Sequence, residues 1–585
     1  MANKPGSGIS RGLTSYGDSG FSLFLRKAFI KAMGFTDEAL DRPIVGITNT
    51  FSDFNPCHGN VPQIIEAVKR GVMQAGGMPF VFPTISIGES FAHPTSMYLR
   101  NLMALDTEEM MRAQPVDAVV LIGGCDKTIP AQLMAAASLP IPSIVIPTGP
   151  MLTGEHKGER LGACTDCRRF WAKYRAGEID ETEINEVNAK LAPTTGTCMV
   201  MGTASTSACM VEAVGMSRPG AAAIPAVYAE RFRHAEMTGR RAVELAQKPL
   251  VPKDIMTPKS ITNALTVLHA IGGSTNALIH FTAVAARLGI KIDLAAFDQL
   301  GRNIPVLVDL KPSGSHYMEH LYEDGGLMAV LKELKPHLHL DCVTVSGRTL
   351  GEEIDAAVVP KLRKVIRLAK EPVFPSGGIA VLNGNLAPRG AIIKHASATP
   401  ALLKHRGRAV VFSSVEDLAM RIDSDDLDVN ADDILVMQNI GPKGAPGMPE
   451  AGYIPIPKKL ARAGVKDMVR ISDARMSGTA FGTVVLHVTP EAAERGPLGI
   501  VRNGDMISLD VPNRTLQLEI SDEEMAARLA QWTPPPTIAA MPAYGYRHLY
   551  QTTVTQADIG CDFAFMLPPV TAVAPVMDGM VKIPQ

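Results

Sequence analysis

Residues 117–130 read DAVVLIGGCDKTIP. The apolar run from Ala118 to Ile122 has no inside/outside alternation, so it reads as a strand buried on both faces. Two glycines then open a tight loop, and PAQLMAAASL (130–139) reads as a helix. A thiol, a carboxylate and an ammonium, those of Cys125, Asp126 and Lys127, stand side by side on that loop. The same strand–loop–helix texture extends on both sides, from residue 43 to residue 150. PIVGITNT (43–50), FVFPTISI (80–87) and PSIVIPTG (142–149) are predicted strands, and VPQIIEAVKRGVMQAGG (61–77) and TSMYLRNLMALDTEEMMR (95–112) predicted helices. Apolar strands alternating with amphipathic helices predict a parallel sheet covered on both faces. Such sheets collect ligands beyond the carboxyl ends of their strands. The loops FSDFNPCHGN (51–60), GESFAHP (88–94) and GGCDKTIP (123–130) therefore belong to one edge.

Residues 155–370 read as mainly helical. After EPVFPSGG the texture changes to short strands punctuated by Gly and Pro, and DMISLDVPNRTLQLEI (505–520) alternates about a turn as a hairpin does. The fold class is thus α/β. An N-terminal α/β/α domain with a parallel sheet is placed at 1–375 and a β-barrel-like C-terminal domain at 376–585. The Pro-rich tail after about residue 535 is expected to wrap a neighbour or the surface.

The chain carries 57 Lys+Arg against 59 Asp+Glu, a formal charge of −2. No basic stripe exists to meet nucleic acid or an anionic membrane. The N-terminus lacks an apolar core of the secretory kind and no run is long enough to span a bilayer, so the chain reads as cytoplasmic. Eight cysteines are too few for a disulfide scaffold and in a reducing compartment point to metal or catalysis. Cys209 and Cys342 read instead as small buried hydrophobes. Cys57, Cys125 and Cys198 each sit on a loop bearing Gly or Pro, spaced far too widely for a local zinc or ferredoxin motif. Glycines beside them let the backbone approach a bulky inorganic group.

Six segments, NPCHGN, GGCDKTIP, TGTCMVMGTAST, IGGSTNA, GPKGAPGMPE and SDARMSGT, occur in the order found in one family. The chain resembles the dihydroxy-acid dehydratase/6-phosphogluconate dehydratase family from about residue 10 to 550, and within it the sugar-acid (pentonate) branch. The resemblance implies a [2Fe–2S] cluster held by Cys57, Cys125 and Cys198, with one iron open to substrate. It also implies Mg²⁺ held by Glu89, Asp126, Glu450 and a carbamylated Lys127, whose modification would replace a repelling ammonium by oxygen donors. Ser477 carries over as the catalytic base, with Thr479 assisting. The implied reaction is dehydration of a 2,3-dihydroxy sugar acid such as L-arabinonate or D-xylonate to the 2-keto-3-deoxy acid. The implied assembly is a homodimer or dimer of dimers, with the N-terminal loop and C-terminal tail lining a shared site.

The residues themselves leave other readings open. Asp126 fits a helix N-cap, Glu450 a surface carboxylate, Lys127 an anion-binding lysine and Ser477 a turn serine beside Gly478. Cys164 and Cys167 (GACTDCRR) form an isolated C-x-x-C pair and read as incidental. IGGSTN (271–276) suits either an anion-binding helix start or a close helix contact, and His58 and His93 either touch substrate or pack. The alternative substrate is that of the dihydroxy-acid dehydratase of branched-chain amino-acid synthesis. Of the rival classes, an NAD-dependent oxidoreductase wants a G-x-G-x-x-G after the first strand, which is missing. An iron–sulfur electron carrier wants a fourth ligand and a smaller domain.

Overall fold

The computed structural model describes residues 8–13 and 16–577. Strands β1 (Ile44–Asn49), β2 (Met78–Pro83), β3 (Ala118–Gly123) and β4 (Ser143–Pro147) form one parallel sheet in the order β2-β1-β3-β4. β1, β3 and β4 are almost wholly buried, which accounts for their unbroken apolar sequences. The helices Val61–Gln74 and Ala229–Gln247 pack as one pair, and Ser96–Ala113 and Thr128–Ala137 as another. With right-handed crossovers and this strand order, the two pairs cover opposite faces. β2 begins at Met78, two residues before the predicted run, because the Met78 amide already bonds to the Pro43 carbonyl at 2.8 Å. It stops at Pro83, and TISI is loop.

The connections leaving β1 and β3 run in opposite directions along this sheet. The crevice between their carboxyl ends is therefore the topological switch point where open α/β sheets bind ligands. Cys57 follows β1, and Cys125, Asp126 and Lys127 follow β3.

The middle of the chain is helical apart from the hairpin β5 (Gly154–His156) and β6 (Glu159–Leu161) and the short β7 (Ile290–Ile292). Next come β8 (Ala380–Gly384), β9 (Ala387–Ile393), β10 (Lys404–Phe412), β11 (Ile434–Met437), β12 (Arg470–Ser472), β13 (Val484–Leu486), β14 (Met506–Asp510) and β15 (Thr515–Leu518). These eight strands close a barrel in the order β10-β11-β12-β13-β9-β8-β15-β14. Its interior is filled by alternate residues of successive strands, such as Ala380 and Leu382, Ala391 and Ile393, Ile507 and Leu509, and Leu516 and Leu518. The architecture is the predicted one, a parallel α/β part followed by a barrel. β10 to β13 run parallel to one another. The loops after β11 and β12 consequently leave the same end of the barrel, and they carry Glu450 and Ser477.

The tail follows the surface as expected over 536–549 and 564–573, but between them it departs from expectation and enters the interior of its own chain, with Tyr550, Cys561 and Phe563 fully buried. Arg100 donates to the carbonyls of Gly560 (2.8 Å) and Cys561 (2.9 Å), and Arg287 pairs with Asp562 at 2.7 Å. A last strand, β16 (Ala572–Ala574), adds in parallel to β7. Buried guanidinium groups need acceptors, and the tail supplies them, backbone carbonyls for Arg100 and the Asp562 carboxylate for Arg287. The expected contributions of the extreme N-terminus and of residues 578–585 to a shared site lie outside the described residues. Among the described residues no helix is long and apolar enough to cross a membrane.

Candidate active site

A cavity of about 180 Å³ opens where the sheet's carboxyl edge meets the parallel end of the barrel, and Cys57, Glu89, Cys125, Asp126, Cys198, Glu450 and Ser477 all line it. Three contacts explain how the sulfur side forms. His58 is buried, and its Nδ1 lies 2.7 Å from the Thr50 carbonyl. That contact makes Nδ1 the protonated nitrogen, so Nε2 is free to accept the amides of Gly124 (3.0 Å) and Cys125 (3.1 Å). Burial pushes the imidazole down to about 4, which keeps it neutral and able to accept. His58 is thus a pillar between the β1 and β3 loops, and the exposed His93 does not line the cavity.

The second contact is Thr148 Oγ1 donating to the Cys57 carbonyl at 2.8 Å. A Cβ on Gly124 would stand 1.8 Å from that oxygen, so only glycine lets the two cysteine loops abut. Third, Thr197 bridges the segment beyond β4, its N–H donating to the Gly149 carbonyl at 2.9 Å and its carbonyl accepting from the Met151 N–H at 2.8 Å, which delivers Cys198. The Cys57 thiol hydrogen-bonds to Cys125, and that bond together with burial and the neighbouring sulfurs raises its pKa.

On the oxygen side, Lys127 is completely buried behind the cavity. Its Nζ lies 3.0 Å from Glu89, 3.3 Å from Asp126 and 3.6 Å from Glu450. Burial alone would favour the neutral amine, but the Glu89, Asp126 and Glu450 carboxylates outweigh it and hold the ammonium protonated. Asp126 does not cap the following helix, whose cap position is Lys127 with no side-chain bond. Glu89 accepts from Thr95 Oγ1 at 2.7 Å and from the Ser96 hydroxyl and amide at the start of the helix Ser96–Ala113. Burial works against its ionised form, yet Lys127 and Arg475 hold its pKa well below the usual range. Glu450 accepts from Asn276 Nδ2 and Arg475 Nη1, each at 3.1 Å, and burial raises its pKa. It is no surface carboxylate. Asn276 explains IGGSTN, which is a close helix contact that also positions Glu450.

The Glu450 loop, GPKGAPGMPE, has an anchor the sequence did not suggest. Buried Glu491 accepts the amides of Lys443 (3.0 Å) and Gly444 (2.9 Å) and the Gln556 side chain. Burial raises the Glu491 carboxyl to about 7 and Asp473 beside it to about 6. A carboxyl whose pKa is raised by folding binds more protons in the native than in the unfolded chain. Stability must then fall as pH rises from the unfolded value near 4.5 through about 7. Glu491→Gln is expected to flatten this fall, which is on the order of 2–3 kcal/mol. Urea unfolding of both proteins between pH 5 and 7.5 measures it, and equal slopes would refute the assignment.

Ser477 sits on the turn after β12. A Cβ on Gly478 would stand 2.5 Å from Ser274 Oγ and 2.6 Å from the Thr203 amide, so glycine lets the turn press onto two helix starts. Ser477 Oγ lies 2.8 Å from Thr479 Oγ1. Two further residues of this cavity were not singled out as part of the site. Cys164 Sγ lies 3.3 Å from Cys198 Sγ, so this thiol is not incidental, and Arg168 bonds to the Cys164 carbonyl and to Thr479. Cys164 holds a positive φ of 76° at the cap of the helix Thr165–Ala176, a conformation that no local sequence signal announces. Cys209 and Cys342 are buried, as expected of small hydrophobes.

Thiols, clustered carboxylates and a serine thus meet at a sheet edge capped by a barrel, and comparison with known proteins gives the class of protein that this arrangement belongs to. Residues 42–353 match the dihydroxy-acid/6-phosphogluconate dehydratase N-terminal model and 364–561 the C-terminal one. The chain belongs to this dehydratase family and is a hydro-lyase. It is 48% identical over 94% of its length, and 95% of the relative's, to an L-arabinonate dehydratase of Rhizobium leguminosarum bv. trifolii. An L-arabonate dehydratase of Azospirillum brasilense is 46% identical (93% and 94% covered), and a 6-deoxy-6-sulfo-D-gluconate dehydratase of Pseudomonas putida 43% identical (91% of each).

Proposed function

We propose that this chain dehydrates a 2,3-dihydroxy sugar acid, L-arabinonate first and D-xylonate next, to the 2-keto-3-deoxy acid. The observation that carries the reading is the cavity onto which four thiols, three carboxylates and one serine converge from distant parts of the chain. The relatives named above act on sugar acids, which favours these substrates over the branched-chain dihydroxy acid.

The donor chemistry fits the cofactors that the family implies. Cys57, Cys125 and Cys198 offer soft sulfur to a [2Fe–2S] cluster, one short of the four thiolates that saturate it, with Cys164 standing 3.3 Å from Cys198 in the same cavity. Glu89, Asp126 and Glu450 offer hard oxygen to Mg²⁺, and they already surround a cation, the Lys127 ammonium. Among the described residues no three His, Cys, Asp or Glu side chains yet stand at metal-holding spacing. Carbamylation of Lys127 would remove the competing charge and add oxygen donors. Bound there, these groups supply Lewis acidity towards the substrate's oxygens.

The chain's own residues do the rest. Ser477 takes the proton from C2, the electron pair left behind forms the C2–C3 double bond, and the bond from C3 to its hydroxyl oxygen breaks; the hydroxide takes a proton and leaves as water, and the enol tautomerises to the keto acid. Protein purified without oxygen and loaded with iron, sulfide and Mg²⁺ is to be offered L-arabinonate, D-xylonate, D-gluconate and 2,3-dihydroxyisovalerate. Keto-acid release fastest from L-arabinonate is expected. A preference for 2,3-dihydroxyisovalerate overturns the sugar-acid reading, and full activity without visible cluster absorbance overturns the cofactor reading.

A further inference from the structure

A serine hydroxyl is a weak base unless something stabilises its ionised form. Carboxylates surround most of this one. Glu89, Asp126 and Glu450 line the same cavity and disfavour an alkoxide, as do the thiols of Cys57, Cys125, Cys164 and Cys198 once ionised. Lys127 is engaged by the three carboxylates, and Arg475, on the serine's own loop, is turned to Glu450. The helix starts packed on Gly478 bring hydroxyls, from Thr203 and Ser274, which bond to one another at 2.9 Å.

The helix Thr165–Ala176 supplies what is missing. Thr165 Oγ1 donates to the Thr479 carbonyl at 2.9 Å and fixes that residue. Arg168 Nη1 donates to the Cys164 carbonyl at 2.9 Å and to Thr479 Oγ1 at 3.2 Å, while the guanidinium lies over the Tyr453 ring at 5.6 Å. A guanidinium has donors only. It takes one of the two lone pairs of Thr479 Oγ1, and Ser477 Oγ lies 2.8 Å from the same oxygen. A threonine proton turned to Ser477 Oγ completes a chain from Arg168 through Thr479 to Ser477. A base that must become an anion is thereby given a charge-assisted donor.

We infer that Arg168, acting through Thr479, is the positioning residue that keeps Ser477 a hydrogen-bond acceptor and favours its ionised form. This rests on the reading of Ser477 as the base. The cluster- and Mg²⁺-loaded enzyme is to be compared with Arg168→Gln, Arg168→Lys and Thr479→Val for kcat and KM on L-arabinonate from pH 6 to 9.5, with visible absorbance as the check on cofactor content. Arg168→Gln is expected to lower kcat at pH 7 by about 10- to 100-fold, to change KM less than about twofold, and to move the acid limb of the kcat profile to higher pH. Arg168→Lys, which keeps a cationic donor, should recover most of the rate. Thr479→Val should shift the limb in the same direction, and it keeps the test alive if Arg168→Gln loses its absorbance. On a Ser477→Ala background, Arg168→Gln should cost nothing further. An unmoved acid limb in both Arg168→Gln and Thr479→Val, whatever their rates, overturns the relay. If that happens while Ser477→Ala is inactive, the relay alone has failed; a Ser477→Ala enzyme that turns over normally removes the base and the relay together.

Discussion

Ser477→Ala is expected to give a folded protein with unchanged visible absorbance whose turnover falls by about two to four orders of magnitude, the range typical for losing a positioned general base. The expectation follows from what Ser477 touches. Its oxygen lines the cavity and bonds only within its own turn, to Thr479. Removing it therefore breaks no contact between the sheet and the barrel, and Gly478 still seats the turn on Ser274 and Thr203. Cys57, Cys125 and Cys198 belong to other loops, so iron content has no reason to change. Single-turnover keto-acid formation alongside the absorbance spectrum decides the matter. Normal turnover would remove Ser477 from the chemistry, and parallel loss of absorbance would make it a structural residue.

The second large effect is at Lys127. Lys127→Met should destabilise the metal-free protein by about 3–5 kcal/mol, the usual result of removing one partner from a buried ionic cluster. The ammonium is fully buried and stands among three carboxylates within 3.6 Å. Without it Glu89, Asp126 and Glu450 face one another, with Arg475 as the remaining nearby cation. Part of the cost is relieved because these carboxylates reach the cavity and its water, which sets the lower end of the range. Added Mg²⁺ should restore stability to the variant more than to the parent, because a divalent ion takes the place of the lost charge. Urea unfolding with and without Mg²⁺ measures both effects. A variant as stable as the parent in the absence of Mg²⁺ would show that the ammonium is not what holds the carboxylates together.

Much of this site is legible in the sequence for a topological reason. An apolar strand followed by a glycine-bearing loop and a helix places the loop at the carboxyl edge of a parallel sheet, so Cys57, Glu89, Cys125 and Asp126 could be assigned to one edge from local texture. Glu450 could not. Neither glutamate differs in its neighbours from a solvated carboxylate, and the family resemblance singled both out as ligands. His58 shows the limit of local reading, because its role lies in accepting two amides from a loop after another strand. Arg168 and Cys164 were hidden for a related reason. Their partners, Thr479 and Cys198, are distant in the chain, and the positive φ that aims Cys164 is carried by a residue type that gives no hint of it. The buried stretch of the tail around 550–563 was missed because proline-rich composition reports on the absence of regular structure and says nothing about burial.

The division of the cavity between sheet edge and barrel has one more consequence. Every thiol lining it precedes the barrel in the chain, while Ser477 and one carboxylate, Glu450, come from the barrel's loops. The complete set of groups therefore exists only where the two meet, and neither part assembles it alone.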